Sequence, residues 1–373
     1  MHFYAFFRLR EAFQPKPQPA RVLILWMSTM TVIPLFVRMA ESLGMGKTAL
    51  AIAWPGYLWM GFLLIFTSSL LFIDVIRHSY CLAFQLRVKQ LSKHVSSRTT
   101  SKIALFLAVI ASVYAYNEAG HIRSEHVVVP SSKLPPSVSR IRIVQISDVH
   151  IGLLFREYRL GQILEKITAA KPDILVSTGD LIDGKLNLDY SISKRNSLAA
   201  SLAAIPAPFG KFAVIGNHEV YVGIPQSLDF THAAGFDTLR NQSVSLACGI
   251  TISGIDDRAI NPKSLANPAT ETALLQSVSH NTFHLLLKHR PEIVQESDGH
   301  FDLQLSGHVH GGQIFPFNII VRLANPIPCG TTRTKEGSIV YVSRGTGTWG
   351  PPMRLFAPPE VTIIDIIPQQ PNK

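Results

Sequence analysis

Five short blocks in the last two-thirds of the chain concentrate residue types that hold metal ions or carry protons. They are Asp148-Val149-His150, Gly179-Asp180-Leu181-Ile182-Asp183, Gly216-Asn217-His218-Glu219, Lys288-His289 and Gly307-His308-Val309-His310. Carboxylate, imidazole and amide donors suit borderline or hard divalent ions such as Mn, Fe or Zn. The absence of Cys from the set argues against a structural thiolate zinc site, which would need about four ligands. Here there are seven candidates: Asp148, His150, Asp180, Asn217, His289, His308 and His310. That number and mixture make sense for two ions sharing a carboxylate, as in hydrolytic sites whose metals stand about 3.5–4 Å apart. Gly179, Gly216, Gly307, Gly311 and Gly312 beside them permit sharp turns and close backbone approach to an anionic ligand.

Residues so far apart in sequence must be gathered by regular elements. Apolar, β-rich runs at 141–147, 174–178, 212–215, 285–287 and 303–305 each end at one of the blocks, and helical patterns near 157–170, 188–204 and 224–234 separate the first of them. Strands joined through crossover helices are the α/β signature, and ligand sites in such sheets form outside the carboxyl ends of the strands. Later runs at 243–247, 250–254, 338–343 and 361–367 lack long intervening helices and are expected to add antiparallel strands. The expected result is a central β-sandwich with helices on its outer faces.

In order and content, the five blocks resemble the calcineurin-like metallophosphoesterase superfamily, whose pattern is D-x-H, GD, GNH followed by D or E, a lone His, and GHxH. The resemblance covers roughly residues 141–367. SGHVHGGQ (306–313) and VSRGTGTWGPP (342–352) resemble its bacterial membrane-anchored subgroup. What it implies is a four-layer αββα sandwich with Asp148, His150 and His310 on a first divalent metal ion, and Asn217, His289 and His308 on a second. Asp180 would bridge the ions, a hydroxide between them would attack phosphorus, His218 would be the general acid, and Asp183 would orient it. Where the superfamily's protein Ser/Thr phosphatases carry Arg directly after that second Asp, this chain has Gly184. The departure weakens a phosphoprotein-phosphatase reading and leaves a phosphodiesterase or pyrophosphatase.

Other polar residues receive plainer readings. His232, His280, His284 and His300 are expected to be structural or exposed, and Asp256 and Asp257 to serve a turn. Arg344 is open between a phosphate contact and an ion pair.

The first third of the chain differs in kind. Residues 1–120 hold 12 Lys+Arg against 4 Asp+Glu, whereas the remainder of the basic and acidic residues balance almost evenly. A net charge of +10 therefore signals no broad basic face on the C-terminal part, and nucleic-acid binding is not expected. A mean hydropathy of +0.21 is high for a soluble protein. The charge-free runs 22–37, 48–73 and 103–117 read as three transmembrane helices; the first and third fall short of the roughly 20 residues a span requires and must recruit their flanks. Six basic and no acidic residues in 77–102 place that loop and the N-terminus in the cytoplasm. Three spans then put the catalytic domain, 141–373, outside, at the cell membrane and behind a Pro- and Ser-rich linker, 121–140. On that side Cys248 and Cys329 could pair or remain two thiols.

The expectation is a multi-pass, membrane-anchored, metal-dependent phosphoesterase acting on a phosphodiester or pyrophosphate, with a lipid-linked phosphate ester as a candidate substrate. One alternative, the UDP-diacylglucosamine pyrophosphatase of lipid A synthesis held by some relatives, acts in the cytoplasm and conflicts with the outward orientation. Another, a catalytically silent membrane scaffold or sensor, should have lost a ligand or the acid, and none is missing.

Overall fold

The structure, a computed structural model, describes all residues except 85–95, 136, 156, 185–191, 261–267 and 370–373. It divides into two units: Met1–Glu118 with Ile314–Pro316 and Gly350–Phe356, and Ala119–Gln313 with Phe317–Trp349 and Ala357–Lys373.

The first unit is helical: α1 (His2–Phe13), α2 (Pro17–Ser42), α3 (Gly46–Ala83) and α4 (Ser97–Glu118). The last three are long and apolar enough to cross a membrane. Each contains one of the expected spans, and the short first and third runs do extend into their flanks. At 1.5 Å per residue the 38 residues of α3 reach about 57 Å, nearly twice the roughly 30 Å of a hydrocarbon core, so α3 continues well past any bilayer it crosses. Small residues let these helices approach: Ala49, Ala53 and Gly56 on α3, the last against Ile33 of α2, and Ala104, Ala108 and Ala115 on α4, are buried. Tyr4 and Arg8 of α1 bind the Asp74 carboxylate of α3 at 2.7 and 2.9 Å. Of the basic loop residues, Arg87, Lys89 and Lys93 lie outside the described residues.

The second unit is built on two six-stranded sheets. The first runs β1 (Arg123–Ser131), β14 (Glu360–Pro368), β2 (Ile141–Ile146), β4 (Ile174–Ser177), β6 (Lys211–Ala213) and β7 (Asp237–Thr238). The second runs β12 (Gly330–Arg333), β13 (Ile339–Val342), β11 (Leu303–Ser306), β10 (Phe283–Lys288), β9 (Ile250–Ile255) and β8 (Gln242–Ser245). A two-stranded ribbon pairs β3 (Ile151–Gly152) with β5 (Ile182–Asp183). Alternation of side chains builds the layers. Ile141 and Ile143 of β2 meet Phe283, Leu285 and Leu287 of β10 in the core between the sheets. Val144 and Ile146 point the other way, onto Ile163 and Ile167 of α5 (Glu157–Ala170) and Leu198 and Leu202 of α6 (Ile192–Ala203). Behind the second sheet, Leu286 and Val340 pack on Leu275 of α9 (Pro268–Gln276). Each fully buried aliphatic side chain contributes about 1.5–3 kcal/mol, and the product is the expected αββα sandwich.

Two expectations need correction, and the open choice for the cysteines is resolved. The stretch 121–140 is not simply a linker: Arg123–Ser131 forms a nine-residue strand parallel to β14. Pro130 disguised it, and is tolerated because β1 is an edge strand. The later strands are not all antiparallel additions, since β9 and β13 run parallel to β10 and β11. Their crossovers use short helices, α9 and the eight-residue α10 (Phe317–Ala324), whose patterns are too brief to stand out. Cys248 is a buried thiol and Cys329 directs its Sγ towards the Ser343 carbonyl at 3.9 Å, so the two form no disulfide.

Candidate metal centre

All seven candidate metal donors meet at the carboxyl ends of β2, β4, β10 and β11 and at the turn into α7 (Asn217–Val222), which α8 (Ile224–Ala233) follows. Asp148, His150 and His310 offer ligand atoms within 4.8 Å of one another, as do Asp180, His289 and His308, while His150, Asp180 and His218 form a third such group. Asn217 joins the second group, its Oδ1 3.2 Å from His289 Nε2.

The donors crowd closely enough for their ring nitrogens either to hydrogen-bond to one another or to share an ion. Ring nitrogens face each other at 3.0 Å between His150 and His310, and at 3.2 Å between His289 and His308. His150 Nδ1 is buried without a hydrogen-bond partner. Asp148 and Asp180 are 0% and 2% exposed, and two carboxylates that deep call for compensating positive charge. A clustered O/N donor set around two deeply buried carboxylates fits divalent metal ions.

Electrostatics follow the same crowding. Burial pushes the Asp148 carboxyl up to about 6, and burial lowers His150 to about 4. Burial opposes charge on His289, but the Asp180 and Asp148 carboxylates more than offset it and lift its pKa to about 10. Burial would raise Asp180 too, yet the imidazoles of His289, His150 and His218 hold it well below the usual carboxylate range.

The backbone is bent to bring the donors inward. Asp148, His150, Asp180, His308 and His310 all sit at positive φ, between 50° and 72°. Such conformations cost about 1–3 kcal/mol each and survive where the surroundings over-determine them. Gly179, Gly311 and Gly312 take the positive φ of the expected sharp turns, and two other flanking glycines have a further reason. A Cβ on Gly307 would collide with Ser147 Oγ and Asp148 Oδ2, and one on Gly216 with Asp180 Oδ1, so these glycines make room for the site's own carboxylates. Glu219, buried at the start of α7, accepts from the backbone N–H groups of Gly216, Asp180, Leu181 and Ile182 at 2.6–3.2 Å. It thereby ties the Asp180 turn to the Asn217 turn.

The other two predicted residues are also at the centre. His218 Nδ1 lies 3.0 Å from Asp183 Oδ1, and its backbone N–H donates to Asp180 Oδ1 at 2.8 Å. Burial works against a charged His218, yet the Asp183 hydrogen bond and the Asp180 field raise its pKa. The segment directly after Gly184 lies outside the described residues.

Arg344 takes the ion-pair reading: its guanidinium pairs with Glu125 and with the buried Glu360, and donates to Pro358 O. Asp257 is buried, not simply a turn residue, and accepts from Arg290 Nε at 2.8 Å. Arg290 Nη1 in turn approaches His308 Nε2 at 2.7 Å, which puts a fixed cation beside the second donor group. Sequence reasoning passed over Arg290; its one signal is its place directly after the lone His289. His284 is structural as expected, held between Ser253 Oγ and His300 O.

The profile of the calcineurin-like phosphoesterase family matches residues 141–312. An uncharacterized metallophosphoesterase of Aquifex aeolicus is 40% identical over 264 residues, 70% of this chain and 98% of that one. One of Campylobacter jejuni is 33% identical over 71% of this chain and 67% of its own. A transmembrane protein with metallophosphoesterase domain from Danio rerio is 31% identical over 70% of this chain and 61% of its own. The chain belongs to the calcineurin-like phosphoesterase family.

Proposed function

We propose that the protein is a multi-pass, membrane-anchored phosphoesterase that hydrolyses a phosphodiester or pyrophosphate bond at a dinuclear metal centre. The observation that carries this is the convergence of seven donors, six of them buried and His308 half-buried, with the His218–Asp183 pair beside them. In this reading Asp148, His150 and His310 would hold one ion and Asn217, His289 and His308 the other, with Asp180 a ligand available to either. Divalent ions so held would supply Lewis acidity to the phosphoryl group and lower the pKa of the attacking water.

The chain's own residues do the rest. Asp183 fixes the ring of His218 through Nδ1, which leaves Nε2 to carry a proton to the departing oxygen. Proton donation matters most for an alkoxide or phosphate leaving group, in keeping with diester or pyrophosphate substrates. Arg290, braced by Asp257, keeps positive charge beside the second donor group. The helices α2, α3 and α4 serve as the anchor, and the basic excess of 77–102 orients it with the catalytic unit outside the cell membrane.

The test is turnover of an alkyl phosphodiester and the matching monoester by the full chain in detergent, with Mn²⁺ and with chelator, against His218→Ala. Metal-dependent diester cleavage that the substitution cripples is expected. A folded, metal-loaded chain that cleaves no phosphodiester or pyrophosphate would sink the reading.

A further inference from the structure

Helix α10 is turned inside out. Asn318 and Val321 face inward and are half buried, whereas Phe317, Ile319, Ile320 and Leu323 are 46%, 51%, 58% and 83% exposed, and none of its residues is buried. A surface helix ordinarily buries its apolar stripe; this one offers it outward, with exposed Arg322 on the polar flank. The position is not neutral either. The backbone of α10 at Asn318 closes on Gly312, where a Cβ would collide with it, and Gly312 ends the turn that carries His310.

Two more exposed rings stand beside the acid. Trp349 is 51% exposed with its ring 5.8 Å from that of His218, and Tyr221 is 70% exposed at 5.4 Å. Trp349 is fixed by a reciprocal pair of hydrogen bonds with Gln313, Nε2 to O at 2.8 Å and N to Oε1 at 2.9 Å. Gln313 follows Gly312 directly, so the apolar helix and a metal-donor turn share one short stretch of chain, to which the tryptophan is hydrogen-bonded.

We propose that α10, Trp349 and Tyr221 rest on the surface of a lipid bilayer, and that the substrate is a phosphate ester in a lipid headgroup. This rests on the reading above of an anchored phosphoesterase. Chain continuity selects the bilayer. The segment just before α10, Ile314–Pro316, belongs to the helical unit, where Ile314 packs with Met353, Leu355, Leu63 and Phe66 among the apolar helices. A helix that starts one residue beyond such a segment meets the lipid surface at high effective concentration. Its chemistry suits that surface: aliphatic side chains enter the acyl boundary, Trp and Tyr sit at headgroup level, and Arg322 meets lipid phosphates.

The experiment uses the full chain in vesicles of phosphatidylcholine and phosphatidylglycerol. A spin label at Leu323→Cys is compared with one at Glu336→Cys, an exposed position, with the unsubstituted chain carried through labelling as background. Immersion should raise the oxygen-to-nickel-chelate accessibility ratio several-fold at 323 over 336; equal ratios would overturn docking. In parallel, Ile320→Asn/Leu323→Asn should lower kcat/KM on a vesicle phospholipid diester about tenfold or more, with a soluble aryl diester within about twofold. Unchanged lipid turnover, or equal losses on both substrates, would also overturn it. A wild-type chain that cleaves no phosphate ester defeats the phosphoesterase reading instead, while the label still decides the docking.

Discussion

Nδ1 of His218 stands 3.0 Å from Oδ1 of Asp183, a pair built from the turn into α7 and the end of β5. The carboxylate fixes the ring and favours its charged form, which is the state a proton donor needs. Replacing His218 by Ala should lower kcat on an alkyl diester by about 100- to 10,000-fold, with a smaller loss on an activated aryl ester that needs no protonation. Asp183→Asn should retain the geometry and lose part of the same factor. Steady-state kinetics on both esters, with bound metal measured on the same samples, decide it; equal losses on the two leaving groups would remove His218 from the proton-donor role.

Glu219 presents a different kind of dependence. Its carboxylate satisfies four buried N–H groups, and each such donor left unpaired costs about 1–3 kcal/mol. Glu219→Ala should therefore unfold the Asp180 and Asn217 turns and empty the centre, whereas Glu219→Gln should lower stability by only about 1–3 kcal/mol. Thermal unfolding together with metal content would show the contrast. An alanine variant that unfolds like the wild type and keeps its metal would refute the role.

Why the site was more legible than its scaffold is a matter of what each residue answers to. A donor must follow a strand, so Asp148, Asp180 and His289 are marked by the apolar runs before them even without any view of the fold. Arg290 escapes because it acts through Asp257, some thirty positions away, and no local period encodes that meeting. Strand β1 escapes because Pro130 and the serines around it read as loop, while its pairing with β14 is set by the far end of the chain. Strand direction at β9 and β13 depends on crossovers too short to carry a helical period. The outward apolar face of α10 contradicts the rule by which amphipathic helices are oriented, and only the structure shows which side is in.

The chain Asp257–Arg290–His308 leads to a third expectation. Arg290 can only donate, so what it brings to the second donor group is a fixed positive charge, which attracts a phosphoryl oxygen and does not strengthen a metal ligand. A hydrogen bond to a charged group is worth about 1.5–3 kcal/mol, so Arg290→Ala should lower kcat/KM about tenfold or more at saturating Mn²⁺. The Mn²⁺ needed for half-activation should not rise, and Asp257→Asn should reproduce part of the loss. Metal titration of activity checks both parts; a variant restored by added Mn²⁺ would assign Arg290 to metal retention instead.

A pH-dependent contribution to stability is expected from the other side of the sheet. Arg142 on β2 grips Asp365 on β14 with Nε and Nη2, both at 2.7 Å. Those hydrogen bonds, partly opposed by desolvation, hold the Asp365 carboxyl below its ordinary value. A depressed folded pKa means stability that is present above the unfolded carboxylate value, about 3.9, and lost as pH falls through the folded one. The pair is partly open to solvent, so its worth is that of a screened bridge, about 0.5–1 kcal/mol. Asp365→Asn should lower Tm by a few degrees at neutral pH, and the gap from wild type should close as the pH is taken below about 4. A gap that persists unchanged at low pH would assign the loss to packing, because protonation of the wild-type carboxyl already removes the charge that the substitution removes.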